Sequence, residues 1–141
     1  MVNSVVSKKI LFVTGGTGGH IFPAISTYNI LKKKSSNILF ATDKRGLNNK
    51  ELSMFKPILI NSLGFEGKNL IFKVYSLIIL FGAILKALIF LKKKNIRIVL
   101  GFGSYVQVPF VLAALLLKRD VVLHEANAVI GRANKLFWKY V

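Results

Sequence analysis

A short apolar run that closes on four glycines and a histidine, KILFVTGGTGGH at Lys9–His20, admits few folds. Lys9–Thr14 is too short for a helix buried on all sides. It reads as a parallel strand covered on both faces. The glycines of the turn, Gly15–Gly19, tolerate positive φ and let the backbone approach a ligand closely. Pro23 suits a first helical turn, and Ala24–Lys34 continues as helix. The same alternation recurs along the chain. Asn37–Thr42, Pro57–Asn61, Arg97–Gly101 and Val121–His124 read as further strands. Leu70–Leu91, Val108–Leu117 and Gly131–Tyr140 read as helices, and the polar stretch Asp43–Phe55 has room for a short one. Strands separated by helices require crossover connections, so the expected fold is α/β, a Rossmann-like doubly wound parallel sheet. A length of 141 residues suits one such domain.

In open sheets of this kind ligands bind beyond the carboxyl ends of the strands, where the first glycine loop would lie. The helix behind it presents unpaired N–H groups and the positive end of its dipole, which suit phosphate. Two standard phosphate loops fit poorly. The nucleoside-triphosphate loop needs a Lys after its glycines, and none follows here. The dinucleotide pattern G-x-G-x-x-G/A, begun at Gly16, meets Ile21 at its last place, although Asp43 stands where a ribose-binding acid would be sought. A tight strand–helix turn would need fewer glycines and no histidine, so a binding site is favoured. GFGSY (Gly101–Tyr105) and HEANAVIGRAN (His124–Asn134) follow the fourth and fifth strands in the same way. Each alone could be turn chemistry; together the loops imply a cleft on one edge of the sheet.

Charge narrows the partners. Lys and Arg number 21 against 5 Asp and Glu, a net +16. That balance favours an anionic bilayer, a phosphorylated ligand or nucleic acid, unless it is only a lysine-rich background. The aromatics sit within apolar runs and do not alternate with Arg as in a single-strand binder, so nucleic acid is not expected. Cysteine is absent, which excludes disulfides and thiolate ligands. The acids and two histidines are scattered without a D-x-D pair, so neither a metal nor another cofactor is expected. No secretory signal is evident at the start, which places the chain in the cytoplasm or on a membrane's cytoplasmic face.

GGTGGH followed by Pro23 and Ala24, GFGSYVQVP at Gly101–Pro109 and HEANAVIGRAN at His124–Asn134 resemble the amino-terminal half of the MurG family. These are undecaprenyl-diphospho-muramoylpentapeptide β-N-acetylglucosaminyltransferases. The resemblance runs from Lys9 to the carboxyl end. Ser104 stands where that family usually has Gly, and Ala126 where it usually has Gln. The resemblance implies the amino-terminal domain of a GT-B glycosyltransferase. The donor domain, which makes most contacts to UDP-N-acetylglucosamine, is then expected to be absent. It further implies an acceptor site for the diphosphate of a lipid-linked muramoyl-pentapeptide, built from Thr17, Gly18, Gly19, Gly103, Ser104, Tyr105 and Asn127. His20 becomes the leading general base, suited by an imidazole's ordinary pKa of about 6.5. It would deprotonate the acceptor's 4-hydroxyl as that oxygen attacks the anomeric carbon with inversion. Glu125 is a second catalytic candidate that would orient the acceptor with Asn127. His124, at a strand end, is read as bonding backbone.

Leu70–Leu91 is apolar almost all round. Lys68 precedes it, Lys73 and Lys86 interrupt it, and Lys92–Lys94 close it. Crossing a bilayer takes ~20 apolar residues, whereas the longest uncharged run, Val74–Leu85, has 12. Lys86 would add roughly 2.5–3.5 kcal/mol of insertion cost. The expected arrangement is peripheral, with one face on the sheet and the other in lipid. The family resemblance implies an apolar patch with a basic rim here, on the cytoplasmic face of a bacterial plasma membrane. Lys73, Leu77, Leu80, Phe81 and Lys86 are the expected contacts. A helix buried on both sides is the plainer alternative. At the level of function, the alternatives are a non-catalytic module that docks on membranes and holds a lipid diphosphate or a partner domain, and, more remotely, a dinucleotide-dependent enzyme.

Overall fold

The side chains of Lys9–Val13 (β1) alternate between two cores, as a central strand covered on both faces must. In the computed structural model, which describes residues 8–34, 37–61 and 70–141, Leu11 and Val13 point to one side and Ile10 and Phe12 to the other. β2 (Ile38–Thr42), β3 (Ile58–Leu59), β4 (Ile96–Gly101) and β5 (Asp120–Leu123) complete a five-stranded sheet ordered β3-β2-β1-β4-β5. All its pairings are parallel. The doubly wound sheet expected from the strand–helix alternation is therefore present. Its third strand is shorter than Pro57–Asn61.

On the Phe12 side lie α1 (Gly18–Leu31) and the short helices α2 (Lys44–Leu47) and α3 (Lys50–Ser53), through Ile21, Ala24 and Leu52. On the Leu11 side lie α4 (Leu70–Lys93) and α5 (Gln107–Leu116), through Ala83, Ala87, Leu91, Phe110, Ala113 and Ala114. Each fully buried Leu, Val or Phe in these layers contributes about 1.5–3 kcal/mol of burial. A smaller cluster joins α5 to α6 (Arg132–Lys135) through Val108, Val111, Ala133 and Phe137.

Helix boundaries differ from the sequence reading, most of all in the first and last helices. The first helix starts at Gly18, so Gly18, Gly19 and His20 form its first turn and Pro23 lies in its interior. Pro23 has no N–H for the Gly19 carbonyl, and the tertiary contacts of Ile21 and Ala24 outweigh that lost bond. Gly131–Tyr140 is not one helix. After α6 the chain continues in turns, in which Asn134 O accepts from the N–H groups of Phe137 and Trp138. α4 extends past Leu91 to Lys93.

Val74–Lys93 is long and apolar enough to cross a membrane by length and composition. The sheet rules that out: β1, before the helix, pairs along its length with β4, after it. A span would place hydrogen-bonded neighbours on opposite sides of the bilayer. α4 instead buries Ser76, Ala83, Ala87 and Leu91 and turns Val74, Leu77, Ile78, Phe81, Leu85 and Ile89 outward. Ile78 and Phe81 keep 66% and 64% of their surface exposed. Leu80, expected on the outward face, instead packs against the Val108, Val111 and Phe137 cluster. Lys86 donates from Nζ to the carbonyl of Leu59 at 2.8 Å, which ties α4 to the end of β3. Lys68 lies outside the described residues, and of Lys73 only the backbone is described.

Candidate functional site

The loops after β1, β4 and β5 meet at the carboxyl edge of the sheet because those strands are neighbours. Where β1 ends, Thr17 is the N-cap of α1, in extended conformation with no side-chain cap bond. Its carbonyl accepts from the N–H groups of His20 and Ile21, both at 3.0 Å. As the first two residues of the helix, Gly18 and Gly19 have N–H groups with no intrahelical partner. A Cβ on Gly19 would meet nothing within 4 Å, so the helix start is open to an approaching ligand.

His20 points from this turn to the loop after β4. There Gly103 has φ +94°, and a Cβ on it would stand 2.8 Å from His20 Cε1 and 2.9 Å from Nδ1. The imidazole therefore lies flush on the Gly103 backbone, and only glycine meets both constraints. Ser104 follows with φ 67°, a left-handed conformation in a residue with a Cβ. That is a physical reason for a glycine to be usual at this place. The Ser104 side chain sits where a Cβ on Gly15 would be, which locks the loop after β1 against the loop after β4.

Glu125 organises the loop after β5. Oε1 accepts from Asn127 N at 3.1 Å and Nδ2 at 2.8 Å; Oε2 accepts from Gly131 N at 2.7 Å and Asn134 Nδ2 at 2.9 Å. The Gly131 N–H above all, with the Asn127 and Asn134 donors, outweighs desolvation and lowers its pKa to about 2. A carboxylate so engaged holds a loop and has little proton affinity. The geometry thus separates Glu125 from His20: both oxygens of the first are bonded to its own loop and to Asn134, whereas the second faces the cleft.

His20, Gly103, Ser104, Tyr105, Glu125 and Asn127 line a single cleft of about 220 Å³, with Arg132 on its border. Thr17, Gly18 and Gly19 stand beside it at the α1 start. Lys73, Leu77, Leu80, Phe81 and Lys86 belong to α4, and the last four do not line this cleft. His124 uses its backbone: its N–H donates to Gly101 O at 2.8 Å, and its carbonyl accepts from Asn134 Nδ2 at 3.1 Å. Asp43, weighed as a ribose-binding acid, has both oxygens occupied. Oδ1 caps α2 through Gly46 N at 2.9 Å, and Oδ2 accepts from Arg45 Nε and Nη2. Among the described residues no group of three His, Cys, Asp or Glu could hold a metal ion.

Sequence reasoning did not single out Arg132, Gln107 or Asn134. Gln107 and Asn134 are buried polar side chains, Asn134 in the cleft wall and Gln107 behind it. Gln107, a lone amide opening the apolar helix QVPFVLAALL, was the signal that could have found them.

Known proteins place this geometry. The N-terminal domain model of glycosyltransferase family 28 matches residues 10–141. UDP-N-acetylglucosamine--N-acetylmuramyl-(pentapeptide) pyrophosphoryl-undecaprenol N-acetylglucosamine transferases are among the relatives. That of Wolbachia sp. subsp. Drosophila simulans is 38% identical over 92% of this chain and 36% of its own length. Those of Desulfotalea psychrophila and Vesicomyosocius okutanii are 39% and 40% identical, over 95% and 94% of this chain and 37% and 40% of theirs. The crystal structure of Acinetobacter baumannii MurG superposes with a TM-score of 0.74 at 30% identity, covering 94% of this chain and 39% of that one. The chain thus spans well under half the length of these relatives. With the matched family model covering nearly all its residues, the chain belongs to glycosyltransferase family 28, as that family's N-terminal domain.

Proposed function

We propose that this chain is the acceptor half of a transferase that moves N-acetylglucosamine from UDP-N-acetylglucosamine to a lipid-linked muramoyl-pentapeptide diphosphate in peptidoglycan synthesis. It works while docked peripherally on the anionic cytoplasmic face of the plasma membrane. The observation that carries this reading is the convergence of His20, Ser104, Tyr105 and Asn127 in one cleft beside the open start of α1. The N–H groups of Gly18 and Gly19, with the helix dipole, would hold the acceptor diphosphate. His20 would take the proton of the acceptor hydroxyl. That oxygen forms a bond to the anomeric carbon, and UDP leaves with the electron pair of the broken bond. Because the reaction needs both sugars in attack geometry, the donor side must come from polypeptide such as that following this stretch in the longer relatives.

A test is sugar transfer to a lipid-linked muramoyl acceptor by this chain, with and without the remaining two-thirds of a relative supplied in trans. Transfer is expected only in the mixture. There His20→Ala should lower turnover ~10²–10⁴-fold, the usual scale of general-base loss, with little change in acceptor binding. Steady transfer by the chain alone would overturn the half-site reading. Acceptor binding with no transfer in the mixture would favour the non-catalytic module, and saturable binding of NAD the dinucleotide reading.

A further inference from the structure

Gln107 is fully buried at the first position of α5. An unpaired amide there would carry a desolvation penalty, but both its ends are bonded. Oε1 accepts from Gly103 N at 2.9 Å, and Nε2 donates to Asn134 Oδ1 at 2.6 Å. Room for this side chain exists because Gly101 lacks a Cβ, which would collide with Oε1. Asn134, also buried, passes the connection on through Nδ2 to Glu125 Oε2 and the His124 carbonyl. Glu125 then holds Asn127 and Gly131. A continuous chain of hydrogen bonds thus runs behind the cleft, from the backbone under the His20 ring to the Asn127 amide.

The direction of this chain is fixed. Gly103 N–H can only donate, so Gln107 must present its oxygen there and its NH₂ to Asn134. Asn134 must answer with its oxygen, which leaves its NH₂ for a carboxylate and a carbonyl that can only accept. Neither amide can flip without setting like groups against each other at two places.

We propose that Gln107 is a positioning residue for the acceptor cleft: its two hydrogen bonds set the His20–Gly103 side in register with the Glu125–Asn127 side. The proposal deepens the acceptor-site reading and rests on it for its functional meaning. A helix-starting glutamine with a merely structural role would stabilise α5 without governing the far side of the cleft.

Two variants separate these roles. Gln107→Glu, in its ionised form, keeps the acceptor toward Gly103 and replaces the donor toward Asn134 with a second acceptor. Gln107→Met keeps the shape and removes both bonds. The measurement is NMR on the 141-residue chain, following the Gly103 and Asn127 amides, the His20 ring and the Glu125 carboxyl. In Gln107→Glu the Gly103 amide should stay near its wild-type shift, while Asn127 moves and the Glu125 midpoint rises above about 2. In Gln107→Met the Gly103, His20 and Asn127 signals should all move. A folded Gln107→Glu chain whose introduced carboxyl is ionised, as its own carboxyl signal reads, and whose Asn127 and Glu125 signals are unchanged would overturn the proposal. If Gln107→Met fails to fold, Gln107→Glu decides; if both fail, Gln107 serves global stability and the positioning role is lost. Inorganic pyrophosphate added to the wild type tests the underlying reading separately, because it should shift the Gly18 and Gly19 amides. Absence of that shift would remove the acceptor-site reading and leave the coupling measured by the variants in place.

Discussion

At the scale of single residues, adjacent positions in the loop after β4 carry opposite demands. Ser104 holds a left-handed backbone that costs an L-residue roughly 1–2 kcal/mol, whereas glycine's extra freedom in the unfolded chain returns about half of that. Ser104→Gly should therefore stabilise the fold by on the order of 0.5–1 kcal/mol. Gly103→Ala should do the reverse, by at least ~1 kcal/mol, since its Cβ also meets the His20 ring. Urea denaturation measures both, and an unchanged His20 ring signal in Gly103→Ala would contradict the close packing. Glu125 carries a pH signature. Its folded pKa, about 2, lies below the ordinary 4.5, so its contribution is complete above pH 4.5 and is lost as pH falls toward 2. The stability difference between wild type and Glu125→Gln should accordingly be widest above pH 4.5 and shrink below it, as denaturation at stepped pH would reveal.

At the scale of elements, α4 explains why part of the site was hidden in the sequence. Its apolar residues run all round, so no periodicity marks the inward face. Orientation is decided instead by α5, whose Ala113 and Ala114 admit the small Ala83 and Ala87. Hence Leu80 was expected outside and is found partly buried against the α5–α6 cluster. The two faces should answer differently to the same substitution. Ile78→Ser with Phe81→Ser should reduce co-sedimentation with anionic vesicles and spare stability, because both residues are largely exposed. Leu80→Ser should lower stability by ~1–3 kcal/mol and leave vesicle binding closer to wild type. Replacing Lys92, Lys93 and Lys94 by Glu should also weaken vesicle binding, by about 1 kcal/mol for each lysine held near the surface. Equal sedimentation with neutral vesicles would remove the electrostatic part of this expectation.

At the scale of the whole molecule, the parallel sheet was legible because short apolar runs alternate with helices, and parallel strands gather their following loops, two of them glycine-rich, on one edge. His20, Tyr105, Glu125 and Asn127 could be nominated from such loops without coordinates. Gln107 and Asn134 could not be joined in advance, since their meeting depends on how α5 crosses from β4 to β5 and on the short α6. The first helix was misjudged because Pro23 was taken for its start; the burial of Ile21 overrides that local signal.

β1 sits at the centre of the sheet, and Leu11 pairs with Val99. On a ribosome, therefore, β1 stays half-covered until Val99 and its neighbours in β4 have been synthesised. Through that interval Ile10–Val13 presents a naked apolar edge, the template that promotes pairing between chains. The Gly103 shelf for His20 arrives only with the strand that closes the gap. Completion of the sheet and assembly of the cleft are thus one event in the life of the nascent chain, and a chain interrupted before β4 would carry the glycine loop without the surface that gives its histidine a place.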